Sequence, residues 1–364
     1  MPLLGAVLVP VNTRDPQHTP DADIHIDAPL AGPEADVPLR GEVDDGDPWV
    51  ILHTSGTTSA PKAVTLTYGN FRASAAAAQA NLPLGPGDRW LCVLPVFHVG
   101  GLSILTRTAF YGASAIVHER FDAEAVRESL ESGEATVVSL VATMLRRLRD
   151  VGLERAPSLR AALVGGGPVP RDLLDWGAEA GLPLLQTYGM TETCSQVATA
   201  PAGSSAARAL PGVELRIGEA GEILVRGPMV SAGALASDGW LHSGDRGRID
   251  ADGFLHVDGR IKDTIVSGGE NVAAAEVEEA LVSHPAVADA AVVGRPDAEW
   301  GEAVTAFVVV EGEVEDGELL GWCRERLAGY KVPRSITRVA ELPRTASGKL
   351  LKGRLGAPSI DSAS

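Results

Sequence analysis

Trp49-Val-Ile-Leu-His-Thr-Ser-Gly-Thr-Thr-Ser-Ala-Pro-Lys62 is the stretch on which the reading of this chain turns. Its opening residues, Trp49 to His53, are apolar or β-favouring and read as a short buried strand. From Thr54 to Lys62 the composition switches to hydroxyls, a glycine and a terminal ammonium. Thr54, Ser55, Gly56, Thr57, Thr58 and Lys62 together offer hydroxyl, backbone N–H and charged donors suited to polyphosphate oxygens. A Ser/Thr/Gly cluster is also ordinary turn material, so the loop alone supports no more than phosphate binding. It is not a Walker A loop, because the second glycine of that motif and the Ser/Thr after its lysine are absent.

Outward from the loop, Val64 to Thr67 reads as another short strand and the Ala-rich Phe71 to Ala80 segment as a helix. Strand-like runs at Arg89 to Leu94, Ser114 to His118, Ala135 to Leu140 and Leu159 to Val164 alternate with helical patterns such as Ala123 to Ser132, the rhythm of an α/β sheet. After Ala209 the runs Val213 to Ile217, Gly221 to Arg226 and Phe254 to Val257 sit among glycines and predict short antiparallel strands. Strand-like Val287 to Val293 and Val304 to Val310, with helical Ala275 to Ser283 and Glu318 to Ala328, predict a small α+β unit. The division falls in the polar stretch Gly259 to Lys262, giving a large domain over 1–259 and a small one over 260–364. Residues 13–48, rich in Pro, Asp and Gly, predict an irregular connection.

With 364 residues and 45% hydrophobic content, the chain can bury the cores of two domains. Its 48 acidic against 31 basic residues leave a net charge of -17, which repels nucleic acid and acidic membrane surfaces. A small anionic substrate therefore needs locally placed cations. Cys92, Cys194 and Cys323 are widely spaced and form no Cys-x-x-Cys pair, which predicts a reducing cytoplasm and neither a disulfide framework nor structural zinc. The apolar start, Met1 to Pro10, lacks a basic flank and carries proline near both ends, which argues against a signal peptide. No apolar run reaches the length of a membrane span.

Further motifs follow the loop: Val164-Gly-Gly-Gly-Pro168, Gln186-Thr-Tyr-Gly-Met-Thr-Glu-Thr193, Gly239-Trp-Leu-His-Ser-Gly-Asp245, Gly259-Arg-Ile-Lys-Asp263, Ser267-Gly-Gly-Glu-Asn271 and Leu342-Pro-Arg-Thr-Ala-Ser-Gly-Lys-Leu350. Singly, each has a bland reading as a turn, a linker or a solvated lysine. In this order they resemble the adenylate-forming superfamily of acyl-CoA synthetases, luciferases and peptide-synthetase adenylation domains. The resemblance implies a large α/β domain followed by a small mobile α+β domain, with ATP, Mg2+ and CoA as cofactors or cosubstrates. It further implies an adenine site at Gly166, Gly167, Tyr188, Gly189 and Met190, phosphate and metal contacts at Thr191 and Glu192, and ribose contacts at Asp245 and Arg260. Lys262 takes the hinge position, Gly268 and Gly269 the loop for thioester formation, and Lys349 the position of the mobile catalytic lysine. Its ammonium would bridge the attacking carboxylate and the α-phosphate during in-line displacement.

The sequence departs from the superfamily pattern at Ser59, where glycine is usual, and at Val272-Ala-Ala, where Ile-x-Pro is common. Pro95-Val-Phe-His-Val-Gly-Gly101 resembles the superfamily's acid-pocket segment, and His98-Val-Gly-Gly-Leu-Ser-Ile-Leu105, Tyr111-Gly, His118 to Phe121, Gly165-Gly-Gly-Pro-Val-Pro170 and Tyr188 to Gln196 together narrow the resemblance to the o-succinylbenzoate:CoA ligase family of menaquinone biosynthesis. This implies ATP-dependent activation of 2-succinylbenzoate and transfer to CoA, with His98, Ser103, Thr143 and Ser195 as residues of the acid pocket. Cys194 is expected to be a small buried thiol and not a nucleophile. Related aryl- or fatty-acyl:CoA ligases share every nucleotide motif, and a catalytically silent nucleotide-binding protein is the reading from a different class. Because the family's usual N-terminal portion precedes the segment at Gly5 to Arg14, a shortened large domain is expected, with an exposed face or one covered by a partner such as a second copy in a homodimer.

Overall fold

The computed structural model describes residues 8, 10, 42–54, 62–344 and 350–355. β1 (Pro48–Thr54) and β2 (Lys62–Thr67) form an antiparallel hairpin in which Leu52 pairs with Val64 and Thr54 with Lys62. Val50, Leu52, Val64 and Leu66 are buried, so alternate residues of each strand lay one face of the hairpin on the core. Leu8 adds a parallel bridge beside Val50. Thr67 then caps α1 (Tyr68–Asn81) in a reciprocal box with Asn70. The buried Asn70 amide also donates to the carbonyls of Pro228 and Val230, tying the helix to a distant turn.

The central sheet is built from β3 (Arg89–Cys92), β4 (Ser114–Val117), β5 (Val137–Val141), β6 (Ala161–Gly165), β7 (Leu184–Met190), β8 (Ser195–Thr199) and β9 (Arg208–Ala209). Its order is β4-β3-β5-β6-β7-β8-β9, parallel through β7 and antiparallel beyond it. Between strands lie α2 (Val99–Tyr111), α3 (Ala123–Glu131), α4 (Ala142–Asp150) and α5 (Arg171–Glu179). Leu91, Val138, Ala162 and Val164 meet the buried leucines of α3, α4 and α5, whereas Trp90, Val137, Ala161 and Leu163 pack with Ile104 of α2. Successive residues face opposite layers, which is why these strands read as nearly unbroken apolar runs.

Beyond Ala209, β10 (Glu214–Ile217), β11 (Glu222–Arg226), β12 (Leu241–Ile249) and β13 (Leu255–Arg260) form an antiparallel sheet in sequential order; the sequence predicts β10, β11 and β13 as antiparallel strands, whereas β12 had no strand expectation. A 3-10 turn, Ile261–Asp263, leads into β14 (Thr264–Ser267), β15 (Glu270–Ala273), α6 (Ala274–Val282), β16 (Val287–Asp297), β17 (Gly301–Val310), α7 (Asp316–Arg326) and β18 (Ser335–Arg338). This five-stranded sheet has its own core of Val277, Leu281, Val292, Val304 and Leu319.

Two expectations shift. The strand expected to run to Leu94 stops at Cys92, because the chain turns at Pro95 into α2. That helix had no counterpart in the sequence reading: Gly100 and Gly101 open it, and glycine disfavours helix interiors. A Cβ on Gly101 would lie 2.4 Å from the Pro95 carbonyl oxygen, so the glycine is what lets the helix start against the preceding turn.

Candidate active site

A cavity of about 530 Å³ opens where the C-terminal ends of β5, β6 and β7 meet the start of α2 and the small sheet's helix α6. His98, Ser103, Thr143 and Ser195, taken from three separate segments, all line it. His98 sits at the N-cap of α2 with its ring 4.5 Å from that of Phe97, and Thr143 opens α4. The Ser103 hydroxyl is buried and has no hydrogen-bond partner among the described residues. A buried, unpaired hydroxyl costs stability unless a ligand or water engages it.

The sequence reading missed Arg107, which lies one turn beyond Ser103 and is 3% exposed. Its guanidinium donates to the Ser74 hydroxyl at 2.9 Å and to the Gln196 amide oxygen at 3.3 Å, and no carboxylate among the described residues pairs with it. Burial pulls its pKa below the ordinary arginine value. The signal was a lone charge in an otherwise uncharged, largely apolar stretch, Trp90 to His118, where a solvated charge has no place.

Gly166, Gly167, Gly189 and Met190 line the same cavity. Gly166 has φ 82°, and Gly189 lies so close to the next strand that a Cβ there would sit 1.9 Å from the Ser195 carbonyl oxygen. The turn from β7 to β8 is tight: Thr191–Thr193 is one 3-10 turn, and Cys194 and Ser195 follow at φ 53° and 86°, rarely adopted by residues with a side chain. The fully buried Thr193 hydroxyl holds the turn, accepting from the Met190 N–H at 3.0 Å and donating to the Ser195 carbonyl at 2.7 Å. Burial pushes the Cys194 thiol up to about 12, so it stays protonated and serves packing.

Beside the cavity, Tyr188 donates its hydroxyl to Asp245 at 2.9 Å, and Asp245 pairs with Arg260 at 2.8 Å. The ladder places this pair, since Asp245 of β12 lies opposite Arg260 of β13. Arg260 also donates to the Ser243 carbonyl at 3.1 Å. Burial first, then the neighbouring carboxylate, drive the Tyr188 phenol far above its usual range, so it remains a neutral donor.

Thr191 and Glu192 are half-buried at the end of β7. The Glu192 carbonyl accepts from Ser231 at 2.8 Å, while its carboxylate makes no ion pair among the described residues. No cluster of three metal-ligating side chains occurs among those residues. Mg2+ is commonly held by one or two carboxylates together with nucleotide phosphates, so this lone acid fits a magnesium brought by ATP. Thr54 and Lys62 close the β1–β2 hairpin as register partners, whereas Ser55, Gly56, Thr57 and Thr58 lie outside the described residues. Lys262 is exposed in the 3-10 turn, and Gly268 and Gly269 at φ 61° and 83° form the exposed turn between β14 and β15, away from the cavity lining. Lys349 is also outside the described residues, but Arg344 and Leu350 on either side of it line the cavity.

The sequence profile described as "AMP-binding enzyme" matches residues 7–235, and that of the "AMP-binding enzyme C-terminal domain" matches 276–349. A 2-succinylbenzoate–CoA ligase of Bacillus cereus strain Q1 is 44% identical over 352 residues, covering 90% of this chain and 73% of the relative. The o-succinylbenzoate CoA synthetase (MenE) of Bacillus subtilis, in complex with the acyl-adenylate intermediate OSB-AMP, superposes with a TM-score of 0.84 at 40% identity over 89% of this chain and 72% of that one. A double mutant of that synthetase bound to the product analogue OSB-NCoA, at the same 40% identity and with 88% and 72% of the chains covered, superposes at only 0.61. The chain belongs to the AMP-binding enzyme family, on the branch of the 2-succinylbenzoate–CoA ligases.

Proposed function

We propose that this protein is an AMP-forming 2-succinylbenzoate:CoA ligase of menaquinone biosynthesis. ATP and the succinyl carboxylate give an acyl-adenylate and pyrophosphate. The CoA thiol then attacks the activated carbonyl, its proton is lost, and AMP leaves as the thioester forms. The observation that carries the substrate assignment is the cavity lined by His98, Ser103, Thr143, Ser195 and Arg107, whose guanidinium has no carboxylate partner among the described residues. 2-Succinylbenzoate bears a second carboxylate on its ring, and a buried cation without an acidic partner complements such a group.

The remaining roles are those that the resemblance to adenylate-forming enzymes implies. Gly166, Gly167, Gly189 and Met190 give a shelf on which a purine can approach backbone, with Tyr188 beside it. Asp245 accepts from the ribose hydroxyls and Arg260 adds a charge. Thr54, Lys62 and Thr191 address the phosphates. Glu192 is the carboxylate for Mg2+, which when bound neutralises charge on the transferring phosphoryl group. Lys349 stabilises the charge that develops as the acid attacks the α-phosphate. Arg344 and Leu350 in the cavity wall, and the closer match to the acyl-adenylate complex than to the product-analogue complex, support reading the arrangement as that of the adenylation step. Thioester formation then requires the 260–364 unit to turn about Lys262 and bring Gly268 and Gly269 inward.

No helix among the described residues is long and apolar enough to cross a membrane. The unpaired, buried Cys92, Cys194 and Cys323 support a cytoplasmic location. The assignment is tested by incubating the protein with ATP, magnesium, CoA and an acid panel, measuring AMP and thioester. Turnover of 2-succinylbenzoate above all others is expected. Turnover of simple aryl or fatty acids only would overturn it.

A further inference from the structure

Pro343–Arg344 and Leu350–Leu351 form the two arms of a short ribbon. Arg344 and Leu350 form an antiparallel bridge at its mouth, and the Leu351 N–H donates to the Pro343 carbonyl at 2.8 Å. Leu342 and Leu355 anchor the base on Ala291 and Phe307. Each arm then makes one ion pair to a different element. Arg344 reaches Asp289 of β16 at 2.7 Å, and Lys352 reaches Glu278 of α6 at 2.7 Å, with Asp263 at 3.9 Å.

Both acids are themselves held by backbone. Glu278 accepts from the Val292 N–H at 2.8 Å through the same oxygen that meets Lys352, and Asp289 accepts from the Ala290 N–H at 3.0 Å. The side chains of Lys352 and Glu278 are each 19% exposed, which sets them apart from the fully solvated ion pairs that contribute almost nothing. A ribbon of a single bridge is too short to hold its own geometry in water.

We propose that the Glu278–Lys352 and Asp289–Arg344 pairs form a clamp on the two arms of this ribbon, making Lys352 a positioning residue for the adenylation half-reaction. The inference rests on the reading of Lys349, the residue before Leu350, as the lysine of that step. A charged group displaced by ~1 Å from a developing charge loses about a hundredfold in rate. An arm released from its ion pair gains the conformational freedom that produces such displacement. Thioester formation does not use Lys349, so the two half-reactions separate positioning from general damage.

The test uses the full chain and two assays: acid-dependent exchange of pyrophosphate into ATP, and thioester formation from a supplied acyl-adenylate. Lys352→Met is expected to lower exchange by about ten- to a hundredfold while thioester formation stays within about twofold. Lys352→Arg, which keeps the charge, is expected to restore exchange, and both variants to melt within about 2 °C of the parent. Equal loss in both assays, or no loss in either, overturns the clamp. Lys349→Ala separates the two readings. If it abolishes exchange while Lys352→Met leaves exchange unchanged, the lysine stands and the clamp fails. If it spares exchange, the reading of Lys349 fails and the inference with it.

Discussion

The phenol of Tyr188 donates to the carboxylate of Asp245 at 2.9 Å across 57 residues of sequence, joining the central sheet to the antiparallel sheet that leads to the hinge. Asp245 thereby holds two partners, Tyr188 and Arg260. Tyr188→Phe keeps the ring and the ion pair, so unfolding free energy should fall by about 1 kcal/mol, with the KM for ATP within about threefold of the parent. Asp245→Ala strips both partners and should cost about 2–3 kcal/mol and raise that KM about tenfold or more. Denaturant titration and initial rates measure both, and equal effects from the two variants would contradict the hierarchy.

Arg107 supplies a second prediction, this one about the acid. Arg107→Met preserves bulk but removes the cation, so kcat/KM for 2-succinylbenzoate should drop by about a hundredfold, the scale of one lost buried charge pair. The analogue lacking the ring carboxylate, 4-oxo-4-phenylbutanoate, should lose far less. Parallel loss for both acids would show that Arg107 acts through Ser74 and Gln196 as a packing element instead.

Two glycines of the nucleotide shelf should separate folding from binding. Gly189→Ala drives a Cβ to 1.9 Å from the Ser195 carbonyl, so the β7–β8 turn must move and stability should fall by about 3 kcal/mol or more. Gly167 has no atom within 4 Å of an added Cβ and no positive φ. Gly167→Ala should melt like the parent, and any rise in the KM for ATP then reports the approach of the purine. A cooperative melt of Gly189→Ala at the parental temperature would refute the steric argument.

The thiols give a pH prediction. Burial raises Cys92 and Cys323 to about 11 and Cys194 to about 12, against ~8.5 in the unfolded chain. On raising pH the unfolded chain loses these protons first, so unfolding releases protons above pH ~8.5 and stability declines through each folded value; below ~8.5 the full contribution is present. Urea midpoints from pH 7.5 to 10 should fall, less steeply in Cys323→Ala than in the parent. At pH 8 a thiol reagent should label the native chain slowly and the denatured chain at all three cysteines. Fast native labelling would contradict the burial argument.

Much of this was legible because local chemistry and tertiary role coincide. Val287 to Val293 and Val304 to Val310 read as strands because both faces are buried, and they pair antiparallel, in unbroken register from Asp289–Val309 onward after an irregularity at Val287. The cavity residues His98, Ser103, Thr143 and Ser195 were reachable only through resemblance, since their meeting depends on three strand ends and one helix start converging. Arg107 escaped because α2 itself was not read from the sequence, so nothing there showed that this lone charge would be buried beside the cavity. The pair Asp289–Arg344 escaped for a different reason: 55 residues separate its members, and no local pattern specifies which acid an arginine will find.

Arg344 and Leu350 face the same cavity as His98 and Ser103, so the chamber is completed by two walls from parts of the chain far apart in sequence. A molecule that fills it acts as mortar between them. With the turn of the 260–364 unit proposed above, every contact on the Arg344 side would be lost as that side swings away, and measured affinity would be the intrinsic affinity scaled by the fraction of molecules in the joined arrangement. The same molecule raises that fraction by occupying it. For an inhibitor, spanning the gap between the two walls therefore counts for more than reaching deeper into either one.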